Sequence, residues 1–219
     1  MATKLKDIAA RVNLSPTTVS MVLNDKDIRV SEETKKMIKK IARELDYRPN
    51  RTAVSLVTRR SMNIGLLVPD IENTFFAELA KHVGNYLKTK GYNLLLCNTN
   101  NNVKDDLRFI RMFRQNAVDG VIGVFSDTDE GELSEEISKL ITGGISVVMM
   151  DKIVSGLKTP CVGTDNFYGG YIAAKYLADR GHKKIAVVGG PLDSVSGIRR
   201  LAGAKKALEE AGLCLQDDY

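Results

Sequence analysis

Apolar positions near the start of the chain recur at intervals of three and four residues. Leu5, Ile8, Ala9 and Val12 share one helical face, which predicts a first helix ending near Val12-Asn13-Leu14. The run Ser15-Pro-Thr-Thr-Val-Ser-Met-Val-Leu-Asn24 predicts a second. Ser15 can accept from the amides orphaned at a helix start, and Pro16 sits where a missing N–H costs nothing. Val19, Val22 and Leu23 fall on one face, so Thr17, Thr18, Ser20 and Met21 occupy the other sides. Ser31-Glu-Glu-Thr opens a third helix, with acidic residues in its first turn and Ile38, Ile41 and Leu45 as its buried stripe. The first two have the separation of a helix-turn-helix, and the three together can close a small core.

From residue 62 the period changes. Apolar runs of strand length, Met62 to Val68, Tyr92 to Cys97, Gly120 to Val124, Ile145 to Met150, Pro160 to Gly163 and Lys184 to Gly189, alternate with helical stretches at 74–89, 104–116, 131–142, 167–180 and 197–211. Gly91, Gly181 and Gly212 stand where helices would close. Continuous apolar strands separated by helices imply a parallel sheet with helices on both faces. Such sheets bind ligands beyond the carboxyl ends of their strands.

Charge separates the two regions. Residues 1–61 hold fourteen Lys/Arg against seven Asp/Glu, a net of +7, whereas residues 62–219 hold eighteen against twenty, a net of −2. A helical head that carries the positive excess suits contact with nucleic-acid phosphates. No run approaches the ~18 apolar residues of a membrane span, and no signal-peptide segment opens the chain, so a cytoplasmic protein is expected. Cys97, Cys161 and Cys214 lie far apart without metal spacing and read as buried reduced thiols.

Candidate ligand groups follow the strands: Phe75 and Phe76 after the first, Asp151 after the fourth, Asp165 after the fifth, and Ser194, Ser196 and Arg200 after the sixth. Together they offer apolar walls, carboxylates, hydroxyls and a guanidinium to a small polar ligand. Each also has an ordinary reading. The phenylalanines can be core, Asp165 and Ser196 helix caps, Asp151 a loop carboxylate, and Arg200 a solvated arginine. Catalytic signatures are missing: there is no phosphate loop, no nucleophile elbow and no paired histidines, since His82 and His182 stand alone. Neither an enzyme nor a cofactor or metal is expected. Between the regions, Asn50 to Val57 is too short and polar to hold a helix alone, so it is either a flexible basic linker or a segment ordered by DNA or a partner chain.

The order of parts resembles the LacI/GalR family of bacterial transcription regulators. Its signature is carried by Leu5-Lys-Asp-Ile-Ala-Ala, Ser15 to Asn24, Val30-Ser-Glu-Glu-Thr34, Tyr47-Arg-Pro-Asn50, Ile64-Gly-Leu-Leu-Val-Pro-Asp70, Phe75-Phe-Ala-Glu78, Val118-Asp-Gly-Val-Ile122, Arg180-Gly-His182 and Arg200-Leu-Ala-Gly203. The resemblance implies a helix-turn-helix domain at 1–46, a hinge helix at 47–61, and a periplasmic-binding-protein-like core whose first subdomain spans 62–160 and whose partial second subdomain spans 161–219. It further implies a homodimer on a pseudo-palindromic operator, most simply a repressor, controlled by a small effector. Pro16, Thr17, Ser20 and Met21 would face base edges, and Lys4, Leu5, Ser15, Thr18 and Asn24 would hold phosphates. Leu56 would wedge into the minor groove beside Ala53, with Asn50 and Arg51 on phosphates. Phe75, Phe76, Asp151, Asp165, Ser194, Ser196 and Arg200 would line the effector cleft, which favours a sugar-like ligand over a planar base.

Some positions depart from the family pattern. Met21 stands where many members carry arginine, which replaces a guanine reader by an apolar contact. Lys4 replaces a usual threonine, and Val57 a residue that is often basic. Family members continue for more than a hundred further residues, so the second subdomain is expected to be incomplete, whether the chain is a fragment or a natural truncation. A small-molecule binding protein without DNA function, or an inactive fragment that associates with a full-length regulator, are the alternatives.

Overall fold

The computed structural model describes residues 3–47, 54–55, 58–126, 130–151, 154, 156–189 and 194–215. They fall into two compact units, Met1–Ser61 and Met62–Tyr219.

In the first unit, helices α1 (Leu5–Val12), α2 (Pro16–Leu23) and α3 (Glu32–Glu44) meet through one apolar cluster. Ile8, Val19 and Ile38, one from each helix, are fully buried, and burying a side chain of this size contributes about 1.5–3 kcal/mol. Asn13 ends α1 in the left-handed conformation at φ 52°, which asparagine tolerates, and so turns the chain into α2 within a few residues. Ser31 caps α3 by accepting from the Thr34 amide. The Thr3 hydroxyl donates to the Leu45 carbonyl at 2.8 Å and ties the start of α1 to the end of α3.

The second unit is built on five parallel strands in the order β2-β1-β3-β4-β5: β1 (Asn63–Val68), β2 (Asn93–Asn98), β3 (Gly120–Gly123), β4 (Ser146–Met150) and β5 (Cys161–Val162). Helices α4 (Thr74–Thr89), α5 (Val103–Gln115) and α6 (Glu130–Thr142) connect them. From β1 the chain steps to one side through α4, then returns across β1 through α5. Right-handed crossovers therefore place α4 and α5 on opposite faces, with α6 beside α5.

The core follows that division. Leu107, Ile110 and Phe113 of α5 and Leu133, Ile137 and Leu140 of α6 pack on Leu67, Val121, Val147 and Met149. On the other face, Phe76, Ala80 and Val83 of α4 meet Leu66, Val68, Leu94 and Ile122. Gly65 is required where it stands, because the Phe113 ring occupies the space a Cβ would take, 2.6 Å from its nearest ring atoms.

Helices α7 (Asn166–Asp179) and α8 (Val195–Glu210) lie along each other over a small cluster of Ala174, Ala204, Ala207 and Leu208. Gly91, Gly181 and Gly212 all adopt positive φ at helix ends, as their spacing predicts. Two expectations fail here. Lys184 to Gly189 forms no strand: Ile185 and Val187 rest on the α7–α8 cluster while Val188 is fully exposed, with no strand paired to the segment among the described residues. A strand needs a paired neighbour as well as the right side chains. The second failure concerns thiols. Only Cys97 is buried; Cys161, on the edge strand β5, and Cys214 are exposed. Burial raises the pKa of the Cys97 thiol, against a smaller opposing pull from Arg108.

Candidate functional site

The second helix of the first unit presents two unlike sides. Val19 and Val22 anchor it in the core, Pro16 and Thr17 are exposed, and Thr18, Ser20 and Met21 are half-buried at its flanks. The Ser15 oxygen accepts from the Thr18 amide at 3.1 Å and lies 2.9 Å from the Thr18 hydroxyl, which fixes the first turn. At the other end Asn24 folds back, its Nδ2 donating to the Ser20 carbonyl at 2.8 Å and lying 3.4 Å from the Ser20 hydroxyl. Lys4 is exposed at the start of α1, where its amide donates to Asp7 Oδ2 at 2.8 Å. Leu5 turns its side chain into the apolar cluster, so only its backbone can meet a phosphate. Asn50, Arg51, Ala53 and Leu56 lie outside the described residues.

In the second unit, the parallel sheet directs every carboxyl end to one edge, and the strand order reverses between β1 and β3. The crevice of such a sheet opens at that reversal. Several contacts shape the loops there. Asn98 Oδ1 accepts from the Ile71 amide at 3.1 Å, and the fully buried Asp106 accepts from the Ser126 amide at 2.8 Å, joining the start of α5 to the segment after β3.

At the start of α4, Asn73 caps the helix and the phenylalanines divide their roles. Phe76 packs into the core, whereas Phe75 is 56 % exposed, and the two rings meet edge to face at 5.1 Å. Phe76 is thus a core residue, and Phe75 is left at the surface. Asp151 leaves β4 with φ 63°, while its amide donates to the Val162 carbonyl at 2.8 Å. Aspartate, like asparagine, tolerates this left-handed conformation better than most residues.

Asp165, Ser194, Ser196 and Arg200 gather around the α7–α8 crossing. Asp165 Oδ1 accepts from the Tyr168 amide at 3.0 Å and caps α7; Ser194 accepts from the Gly197 amide at 3.4 Å and caps α8, with the Ser196 hydroxyl 3.0 Å away. Arg200 Nε donates to Asn166 Oδ1 at 2.7 Å. That approach depends on paired glycines. A Cβ on Gly170 would fall on the Arg200 carbonyl, and one on Gly203 on the Phe167 carbonyl. No hydrogen bond or ion pair among the described residues joins this group to Phe75 or Asp151. Sequence reasoning passed over Asn166, since an asparagine beside a capping aspartate looks like part of the cap; only its burial and its arginine partner distinguish it.

Comparison with known proteins places these two units. Residues 4–50 match the family described as bacterial regulatory proteins, lacI family, and residues 64–218 match the periplasmic binding protein domain. The chain belongs to the LacI family of regulatory proteins. One LacI-family relative, the HTH-type transcriptional repressor PurR of Proteus mirabilis, is 37 % identical over 222 residues, covering 100 % of this chain and 63 % of its own length. The chain thus spans less than two thirds of the length of the curated relatives it matches. Among solved LacI-family structures, the lac repressor dimer bound to operator and the anti-inducer ONPF has a TM-score of 0.82 at 22 % identity, over 98 % of this chain and 64 % of that one, which speaks to fold. A complex of the transcriptional regulator CelR with cellobiose has a TM-score of 0.56 at 28 % identity, over 98 % and 64 %. Among the described residues no helix is long and apolar enough to cross a membrane.

Proposed function

We propose that this protein is a sequence-specific DNA-binding transcriptional regulator, acting as a repressor, that binds a pseudo-palindromic operator as a homodimer and answers to a small sugar-like effector. The observation that carries the reading is α2: a helix capped by Ser15, anchored by Val19 and Val22, with Pro16 and Thr17 exposed and Ser20 and Met21 half-buried at its flanks, on a unit with net charge +7. An eight-residue helix of this kind fits the major groove, where short hydroxyl and apolar side chains read base edges. Met21 contributes an apolar contact such as one to a thymine methyl. Lys4, the backbone at Leu5, Ser15, Thr18 and Asn24 supply phosphate contacts, while Asn50, Arg51, Ala53 and Leu56 act in the hinge segment 47–61.

Regulation belongs to the second unit. Phe75, Asp151, Asp165, Ser194, Ser196 and Arg200 contact the effector, with Phe76 supporting Phe75 from the core. Similarity to a regulator whose structure holds cellobiose supports a ligand rich in hydroxyls. The effector acts by binding DNA-competent and DNA-incompetent states unequally, which shifts their populations. This reading contains no catalytic step, and it locates the protein in the cytoplasm with its DNA.

Selection of enriched sites from a pool of random duplexes at near-physiological salt tests it. Enrichment of a palindrome is expected. Salt-sensitive binding without any enriched site refutes sequence-specific action by this chain, and no binding at all favours a solute-binding protein.

A further inference from the structure

We propose that Asn166 is a positioning residue for the ligand site: it grips Arg200 through Nε and leaves the terminal nitrogens, which no carboxylate among the described residues meets, turned to acceptor groups of the ligand. The inference rests on the reading of Arg200 as an effector contact.

Asn166 is the first residue of α7 and is 8 % exposed, whereas Arg200, in the second turn of α8, is exposed. A guanidinium has five donors and no acceptor, so the amide must offer Oδ1 to Nε. Its Nδ2 is thereby turned toward the Thr164 carbonyl at 3.5 Å. The Gly170–Gly203 crossing brings the helices close enough for this contact. Fixing Nε removes the rotation of the planar fork and aims the remaining donors as a pair, the geometry that suits two adjacent acceptors.

The second half of the role of Asn166 lies in its neutrality. Two lysines on these helices are matched by carboxylates, Lys175 by Asp179 at 3.0 Å and Lys206 by Glu210 at 3.6 Å, whereas Arg199, beside Arg200, has no such match among the described residues. No carboxylate among the described residues pairs with Arg200. An aspartate at 166 would hold the same geometry but cancel the charge. An asparagine orients the guanidinium and leaves its charge for an anionic or polyhydroxylated ligand.

The Nε–Hε resonance of Arg200, identified in the full chain by its loss in Arg200→Lys, reads both halves. In the wild type it should exchange slowly with solvent and shift on titration with sulfate as a probe anion. Asn166→Ala should speed that exchange at least tenfold, whereas Asn166→Asp should keep the exchange slow and weaken the sulfate-induced shift several-fold. A purely structural asparagine would not separate the two readouts. Unchanged exchange in Asn166→Ala, or sulfate binding equal in wild type and Asn166→Asp, overturns the proposal. These measurements involve no DNA, so a failed duplex selection would remove the regulator reading while the role of Asn166 is decided separately.

Discussion

Two adjacent glycines in α7 should respond to the same substitution with opposite signs. Replacing glycine by alanine inside a helix ordinarily stabilises it by about 1 kcal/mol, because the unfolded chain loses freedom it would otherwise keep. Gly169 has nothing within 4 Å of a Cβ, so Gly169→Ala should gain about 0.5–1 kcal/mol. Gly170 faces the backbone of α8 at Arg200, which cannot rotate aside as a side chain would. Forcing a methyl group into a close-packed contact costs about 1–3 kcal/mol; the upper half of that range applies against backbone, and subtracting the helix gain leaves about 1–2 kcal/mol of destabilisation. Hydrogen exchange read by mass spectrometry over peptides of α7 and α8 measures the difference, with the peptides of α1 to α3 as an internal standard. A loss of 2 kcal/mol is about a thirtyfold rise in the opening equilibrium. If Gly170→Ala protects α7 as well as Gly169→Ala does, the crossing is not as close as described, and the Asn166–Arg200 contact loses its basis.

Further outcomes are expected elsewhere. Ser15→Ala removes the cap of α2 and should cost about 1 kcal/mol of head stability in thermal unfolding, leaving residues 62–219 unaffected; an unchanged head transition would contradict the cap. Glu136 is buried on α6, and although burial pushes its pKa up, the Lys139 hydrogen bond and the charges of Lys139, Arg111 and Arg114 outweigh this and lower it below 4.5. A depressed carboxylate stabilises the fold above its unfolded pKa and ceases to do so as pH falls through the folded value. Acid titration below about pH 4.5 should therefore destabilise the second unit of the wild type more steeply than that of Glu136→Gln, and parallel titration curves would refute the coupling. Leu56→Ala should weaken binding to a selected operator at least tenfold while non-specific binding changes little, because it removes a wedge and no charge; equal losses on both DNAs would end that assignment. Arg200→Ala, placed in a full-length relative, should abolish the effector response and spare operator affinity, and an unaltered effector titration would exclude the residue from the cleft.

The elements were legible where one face of a segment had to be buried. In α2 the proline at the first position, the capping Ser15 and the spacing of Val19 and Val22 all encode a helix locally, so its outward residues followed at once. The same holds for the charge of the head, which needs no fold to be counted. Strands β1 to β4 were readable because a sheet covered on both faces demands continuous apolar runs. Lys184 to Gly189 has the same kind of run and yet forms no strand, since pairing is a property of two segments and one of them must be supplied from elsewhere in space.

The division between Phe75 and Phe76, the exposure of Cys161, and the meeting of Asn166 with Arg200 could not be read along the chain. Each depends on which neighbour the sheet order or a helix crossing brings near, and Asn166 and Arg200 stand 34 residues apart. Local chemistry determined the elements, the family and the charged head. Tertiary packing decided which of the polar residues at the strand ends serve as caps and which guanidinium is held by a neutral amide, because desolvation and hydrogen-bond partners exist only once distant segments touch.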